Sequence, residues 1–180
     1  MNPFSHAQDG SPKEGGFTEP QTPVLSPGRV VLIKLISTFF FVGYLPRMPG
    51  TFASIIAAAI LLLIGGNTAA YISITLLCMF CGLLVSGHAE KIFARKDASC
   101  IVIDEVTGMF LSLLFIPIRL PYVVIAFVIF RLADIIKPYP INKVQKMPGS
   151  LGVMCDDILA AFYANIILQF ILRLAFLRAS

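Results

Sequence analysis

The 180-residue chain is 57% hydrophobic and only 13% charged, a balance outside the range of soluble globular proteins. Its mean hydropathy is +0.86, and apolar runs of bilayer-spanning length predict a single-domain helical membrane protein. The formal net charge of +4 comes without a basic run interleaved with aromatic residues, so no nucleic-acid partner is predicted. Two of the four cysteines, Cys78 and Cys81, lie inside an apolar run, which argues against a disulfide framework.

The N-terminal region, residues 1–29, is rich in Pro, Gly, Ser and Thr and has no periodic apolar pattern. This composition predicts a disordered tail, and the region lacks the basic start and apolar core of a signal peptide. Residues 30–180 then form the predicted membrane-embedded domain. Its first apolar run, 30–45, is short for a span and carries Lys34, so we predict a re-entrant or interfacial helix there.

The rest of the domain alternates apolar runs with short polar connections. The fold class predicted is all-α, a multi-pass transmembrane helical bundle with about four full spans in addition to the N-terminal helix. The apolar runs occupy residues 52–64, 69–85, 101–116, 122–136 and 151–176.

The charged residues near the ends of these runs converge on one side of the predicted membrane. Successive helices joined by short turns run antiparallel, and following this alternation brings acidic and basic groups from several helices to the same face. The same side carries most of the Lys and Arg residues, so the positive-inside rule makes it the cytoplasmic side. The groups brought together are Arg47, Thr51, Asp104, Glu105, Arg131, Asp134, Lys137, Asp156 and Asp157.

Five of these groups are carboxylates, which cannot all stay charged in a half-dry site without a balancing cation. Hard oxygen ligands of this kind suit Mg²⁺, so the sequence predicts a magnesium site. Adjacent residues on a helix point about 100° apart. One member of Asp104–Glu105 and one of Asp156–Asp157 is therefore expected to bind the metal directly, and the sequence leaves open which one.

The basic residues at the end of the 122–136 run suggest a phosphate. Arg131, Asp134 and Lys137 are spaced three apart and share one helix face, and Pro138 stops that helix. One interpretation is a structural ion pair at a helix end whose long side chains reach the interface. The other is a clamp for phosphate oxygens, which the neighbouring acidic cluster favours.

Two matching pentads precede apolar runs: Arg-Met-Pro-Gly-Thr ends at Thr51, and Lys-Met-Pro-Gly-Ser ends at Ser150. Their hydroxyls are predicted to cap the helices that follow. Free amides at a helix N-terminus also attract anions. Each pentad can thus be a plain helix start or an anion site, and the acidic cluster nearby raises the second possibility for Arg47 and Thr51.

Four segments resemble, in the right order, the successive motifs of the bacterial phosphatidylglycerophosphatase A family. They are Leu-Pro-Arg-Met-Pro-Gly-Thr at 45–51, Ile-Val-Ile-Asp-Glu-Val-Thr-Gly at 101–108, Phe-Arg-Leu-Ala-Asp-Ile-Ile-Lys-Pro-Tyr-Pro-Ile at 130–141 and Gly-Val-Met-Cys-Asp-Asp at 152–157. The resemblance covers roughly residues 30–170. It implies a Mg²⁺-dependent enzyme of the bacterial inner membrane that hydrolyses phosphatidylglycerophosphate to phosphatidylglycerol and inorganic phosphate.

The mechanism predicted on this basis is metal-assisted hydrolysis of a phosphomonoester at the cytoplasmic face. Mg²⁺ is held by Asp104 or Glu105, by Asp134, and by Asp156 or Asp157. The phosphate oxygens are held by Arg131 and Lys137, with Arg47 and Thr51 as further candidates. A spare carboxylate activates water as a general base or attacks phosphorus directly, and the sequence leaves both routes open. The alternative function is an ion or proton transporter that uses the same carboxylates.

Overall fold

The computed structural model describes residues 25–179. Residues 1–24 of the predicted disordered tail (1–29) lie outside the described residues, and its last three residues, 27–29, are helical. The described chain consists of helices without a strand, which confirms the all-α class. The helices are α1 (Pro27–Ser37), α2 (Pro49–Ile64), α3 (Thr68–Ile92), α4 (Ile103–Ser112), α5 (Leu120–Ile136), α6 (Ile141–Val144) and α7 (Ser150–Ala179), with a short 3₁₀ helix at Val42–Tyr44.

Proline, glycine and asparagine set most helix boundaries. Pro49 is the first residue of α2, where its missing N–H costs no hydrogen bond. The same helix ends at Gly65, whose φ of 62° few other residues adopt readily. Asn67 caps α3, since its side chain accepts a hydrogen bond of 3.1 Å from the backbone N–H of Ala70. These boundary residues explain why the predicted apolar runs nearly coincide with the observed helices.

Helix α4 is the centre of the bundle and differs from the span predicted at 101–116. It has ten residues, about 15 Å at 1.5 Å per residue, which is too short to cross a bilayer alone. It packs against α2, α3, α5 and α7, and Val106, Met109 and Phe110 are fully buried. The apolar character of α4 therefore reflects its burial among the neighbouring helices.

Side chains from neighbouring helices fix the C-terminal end of α4. The hydroxyl of Tyr71 on α3 donates a 2.6 Å hydrogen bond to the carbonyl of Phe110. From α7, Asn165 Nδ2 donates to the carbonyls of Ser112 at 3.1 Å and Leu114 at 2.8 Å. These bonds satisfy helix-end carbonyls that would otherwise be buried without partners. They hold α4, and hence the acidic residues in its first turn, between α3 and α7.

Two helices in the described part of the chain are long and apolar enough to cross a membrane, α3 (Thr68–Ile92) and the Ser150–Arg178 segment of α7. Helix α2 is apolar but has only 16 residues, and α5 has 17. Large apolar side chains are exposed on the two long helices, for example Leu77 and Phe80 on α3 and Ile166 on α7. The structure thus supports two candidate spans, and the four-span arrangement stays a prediction.

Candidate metal centre

Three helix ends bring the five predicted carboxylates together. Asp104 and Glu105 lie in the first turn of α4, Asp134 in the last turn of α5, and Asp156 and Asp157 in the second turn of α7. Ligand oxygens of Asp104, Glu105 and Asp157 all lie within 4.8 Å of one another, and so do those of Asp134, Asp156 and Asp157. The convergence inferred from helix alternation is thus present in the structure. Both members of each adjacent pair reach the cluster, so the expected division into one ligand and one orienting residue is not visible in the geometry.

Several oxygens of this cluster are buried without a hydrogen-bond partner. They are Oε2 of Glu105, Oδ1 of Asp156 and Oδ2 of Asp157. Asp156 and Asp157 are each only 3% exposed, and Asp104 is 6% exposed. A buried carboxylate oxygen without a partner is costly, and a hard divalent cation supplies the missing interaction. The residues present therefore fit a magnesium-type metal ion.

Two cations on α5 and just after it face the cluster. Nζ of Lys137 lies 2.7 Å from Oδ2 of Asp156 and 3.7 Å from Oδ1 of Asp134. Nη1 of Arg131 lies 2.9 Å from Oδ2 of Asp134, but the contact is not aligned as a hydrogen bond, and Nε and Nη1 are buried without an aligned acceptor. The predicted shared face of Arg131, Asp134 and Lys137 is thus present, and the guanidinium keeps donors free for another acceptor.

The position of Lys137 favours its charged form. Burial is the largest single influence and lowers the pKa of Lys137. The hydrogen bond from its ammonium to Asp156 and the charges of Asp156 and Asp134 raise the pKa, and together they outweigh burial. The net shift of the pKa is upward from its ordinary value. Lys137 therefore contributes a stable positive charge next to two carboxylates.

The N-terminus of α2 adjoins the cluster through Gly50. A Cβ atom at Gly50 would overlap Oε1 of Glu105, so only glycine allows this carboxylate to approach the first turn of the helix. A helix N-terminus stabilises a nearby negative charge. Gly50 thus links the first pentad to the acidic cluster, a role that the sequence reasoning missed because it assigned the anion contact to Arg47 and Thr51.

Arg47 lies just before α2 and Thr51 lies in its first turn, and neither belongs to the cluster. Within the described chain neither side chain makes a hydrogen bond or an ion pair, and both line an apolar groove of about 650 Å³ together with exposed Met48 and Phe52. The prediction that Thr51 caps α2 is wrong, because the helix begins at Pro49 and Met48 occupies the cap position without a side-chain bond.

The second pentad has a packing role in the structure. The hydroxyl of Ser150, the first residue of α7, accepts a 2.7 Å hydrogen bond from the backbone N–H of Gly87 on α3. A Cβ atom at Gly87 would lie 2.9 Å from that hydroxyl oxygen. Ser150 therefore ties the start of α7, and with it Asp156 and Asp157, to the end of α3.

A second glycine sets the spacing between the helices that carry the carboxylates. At Gly108 on α4 an added Cβ would lie 2.5 Å from the ring of Phe130 on α5 and 3.2 Å from the carbonyl oxygen of Asp157 on α7. Gly108 was quoted in a sequence motif without a role. The signal that could have found it is a glycine four residues after Asp104, which shares a helix face with that carboxylate.

The chain is similar to one protein family and to several named bacterial proteins. A family model described as Phosphatidylglycerophosphatase A matches residues 35–172. Proteins named Phosphatidylglycerophosphatase A are 34% identical over 141 residues in Haemophilus influenzae (75% of this chain, 85% of that protein) and 32% identical over 140 residues in Escherichia coli (76% and 81%). A Bacteroides thetaiotaomicron protein named provisionally as a phosphatidylinositol-3-phosphatase is 34% identical over 143 residues (74% and 89%). No solved structure matches the chain.

Proposed function

The chain belongs to the phosphatidylglycerophosphatase A family and is a phosphatase, and from this premise we propose that it removes the terminal phosphate of phosphatidylglycerophosphate with Mg²⁺ as cofactor. The products are phosphatidylglycerol and inorganic phosphate. One observation carries the proposal, the meeting of five carboxylates and two cations at three helix ends. Membership in a family of phosphatases makes an enzyme better supported than the transporter that the sequence also allowed.

The acidic cluster is the proposed cofactor site. Asp104, Glu105, Asp134, Asp156 and Asp157 would hold Mg²⁺ through their buried oxygens, three of which lack a partner. When bound, Mg²⁺ supplies the positive charge that stabilises the phosphoryl oxygens as negative charge develops on them. The protein supplies the fixed, mostly buried carboxylates that keep this charge in one place.

Arg131 and Lys137 are the proposed phosphate-binding residues. The buried Nε and Nη1 of Arg131 have no aligned acceptor, and a guanidinium can grip two phosphate oxygens with parallel hydrogen bonds. Lys137 is held at 2.7 Å from Asp156, so its ammonium is positioned at the edge of the cluster. Together they would orient the phosphomonoester and hold its oxygens during the reaction.

A carboxylate performs the remaining chemistry. In one route it accepts a proton from water while the water oxygen bonds to phosphorus and the bond from phosphorus to the glycerol oxygen breaks. In the other route the carboxylate oxygen itself bonds to phosphorus, and water releases the phosphate in a second step. In the first route the carboxyl group passes the proton taken from water to the glycerol oxygen as it leaves. In the second route the glycerol oxygen takes a proton from the water that then releases the phosphate, so in both routes it leaves as a hydroxyl group. Acid quenching with ³²P-labelled lipid distinguishes them, because only the second route leaves label on the protein.

The lipid tails have a proposed path beside the site. The apolar groove of about 650 Å³ lies along the start of α2 and contains Leu45, Met48 and Phe52, with Arg47 at its polar part. The same helix start abuts Glu105 through Gly50. We place the acyl chains in the bilayer along this groove, so that only the phosphorylated headgroup enters the cluster, with Arg47 and Thr51 near its phosphates.

The proposed location is the bacterial inner membrane, with several membrane passes and the site at the cytoplasmic face. Two contacts tie the basic loops on this side together. Gln145 donates a 2.7 Å hydrogen bond to Asp97, and Nζ of Lys96 donates a 3.2 Å bond to the carbonyl of Lys146. An excess of Lys and Arg in short loops favours the cytoplasmic side.

Labelling of single cysteines tests this topology. In a background without native cysteines, Ser99→Cys and Asn142→Cys in intact inverted membrane vesicles should both react with an impermeant maleimide. Both positions are exposed and lie on the predicted cytoplasmic side, Ser99 in the connection before α4 and Asn142 in the short helix α6. Arg119→Cys, exposed at the start of α5, should react only from the other side. Labelling of positions 99 and 142 from opposite sides would contradict a single site at one face.

Phosphate release by the purified full-length protein tests the activity. Phosphatidylglycerophosphate, phosphatidylinositol-3-phosphate and phosphatidic acid are supplied in detergent micelles, each with Mg²⁺ and with a chelator. We expect release from phosphatidylglycerophosphate with Mg²⁺ and loss of release in the chelator. The inositol lipid is included because of the name of the Bacteroides relative. Absence of release from phosphatidylglycerophosphate in Mg²⁺ would overturn the proposed substrate.

Gly50→Ala should lower turnover of phosphatidylglycerophosphate by about tenfold. The new Cβ overlaps Oε1 of Glu105, and the flexible side chain can rotate away, so the loss should stay below the roughly hundredfold that a 1 Å misplacement can cause. The matched control is Gly66→Ala, because a Cβ there meets nothing within 4 Å. Equal turnover in both variants would remove Gly50 from the positioning of Glu105.

A further inference from the structure

We propose that the acidic cluster binds two divalent cations that share Asp157 as a common ligand. The inference rests on the proposed function, since it specifies the metal content of the same site. The sequence suggested one Mg²⁺ with a choice of ligands. The geometry points to two neighbouring positions, each with three carboxylates.

The arrangement of the ligand oxygens is the first step. The carboxylates form two triads, Asp104–Glu105–Asp157 and Asp134–Asp156–Asp157, and within each triad the ligand oxygens lie within 4.8 Å of one another. Oxygens bound to one Mg²⁺ at about 2.1 Å are at most about 4.2 Å apart. Each triad can therefore close on one ion with small side-chain movements, and Asp157 belongs to both.

The unpartnered oxygens are the second step, because they occur in both triads. Glu105 Oε2 is buried without a partner in the first triad, and Asp156 Oδ1 in the second. Oδ2 of the shared Asp157 is also unpartnered, and both aspartates are more than nine-tenths buried. A single ion bound in one triad would leave a buried, unpaired oxygen in the other, which carries a cost in free energy.

Charge balance is the third step. Five carboxylates facing Arg131 and Lys137 leave three uncompensated negative charges in a mostly buried site. One divalent ion still leaves one negative charge, whereas two ions leave one positive charge. A phosphomonoester carries about 1.5 to 2 negative charges at neutral pH, and like charges repel strongly where water is scarce. The site with two ions therefore attracts the phosphate group of the proposed substrate more strongly than the site with one ion.

Binding of Mn²⁺ alone tests the inference without any turnover measurement. The purified full-length protein is freed of metal with a chelator, and Mn²⁺ is titrated while electron paramagnetic resonance measures the free ion and the spectrum of the bound ions. We expect two Mn²⁺ per chain and the spectrum of an exchange-coupled pair, because a shared carboxylate connects the two spins.

Variants assign each ion to a triad. Glu105→Gln and Asp134→Asn should each bind one Mn²⁺ with an uncoupled spectrum, because each removes a ligand from one triad only. Asp157→Asn should lose the coupled spectrum, since its carboxylate joins the triads. The matched control is Glu90→Gln, which lies outside the cluster and whose Oε1 can still accept from the backbone N–H of Asp97. It should bind two coupled ions like the wild type.

The wild-type result decides the inference even where a variant does not fold. One Mn²⁺ per chain at saturation, or two ions without coupling, would overturn it. In that case, release of phosphate from phosphatidylglycerophosphate would show that the proposed function stands without the second ion. Two coupled ions in a protein that releases no phosphate from this lipid would instead overturn the proposed function and leave the shared Asp157 site in place.

Discussion

Asp157→Asn is expected to lower turnover of phosphatidylglycerophosphate by about a thousandfold or more. Asp157 contributes to both ligand triads, and an amide keeps the shape of the side chain but loses the charge that binds Mg²⁺. Metal ions supply several kcal/mol of transition-state stabilisation, and roughly 1.4 kcal/mol corresponds to a tenfold change in rate. Asp134→Asn and Glu105→Gln, which belong to one triad each, should lower turnover by smaller but still large factors. Initial rates at several Mg²⁺ concentrations measure all three.

Stability of the metal-free protein distinguishes a ligand from a structural residue. The cluster has more carboxylates than cations, so removal of one negative charge from the buried group relieves repulsion. Metal-free Asp157→Asn should therefore melt at the wild-type temperature or above it, while added Mg²⁺ should raise its melting temperature less than it raises that of the wild type. The control is again Glu90→Gln. Near-normal turnover of Asp157→Asn at limiting Mg²⁺, or melting far below the wild type, would remove Asp157 from the metal site.

The fold was predictable where local chemistry sets it. Pro49, Gly65 and Asn67 mark helix ends through backbone geometry and capping, and these effects act within a few residues. The run at 101–116 was predicted as a span, whereas the structure has a ten-residue helix packed against four others. A helix surrounded by protein and a helix surrounded by lipid are both apolar on most faces, so composition does not distinguish them. Long-range contacts with four other helices bury α4 in protein, and composition does not predict such contacts.

Convergence of the carboxylates was predictable even though α4 is short. The argument needed only that α4 run opposite to its neighbours, and reversal of direction between consecutive helices holds for a ten-residue helix as well as for a span. The contact between Gly50 and Glu105 was not predictable, because it joins side chain and backbone that are 55 positions apart in the sequence. Membership of Asp157 in both triads likewise depends on the distances between three helices.

Arg131→Lys should lower the catalytic rate by roughly ten- to a hundredfold while the melting temperature stays close to that of the wild type. A phosphate clamp uses two parallel hydrogen bonds from the guanidinium, and the ammonium of Lys cannot reproduce that fork. Loss of one charge-assisted hydrogen bond is worth about 1.5–3 kcal/mol, which gives this factor when the bond is made chiefly in the transition state. Nε and Nη1 are buried without an aligned acceptor. Because these two donors point to different sides of the guanidinium, either of them would form the fork together with Nη2.

The competing role of Arg131 is a structural ion pair with Asp134, whose Oδ2 lies 2.9 Å from Nη1. A point charge suffices for that role, so Arg131→Lys would then keep nearly full activity. Arg119→Lys is the matched control, because it makes the same replacement at an exposed position at the opposite end of α5. A rate loss in Arg131→Lys alone, with unchanged melting, supports the clamp. Full activity of Arg131→Lys assigns Arg131 to the ion pair, because a positive charge next to Asp134 then accounts for the whole role of the side chain.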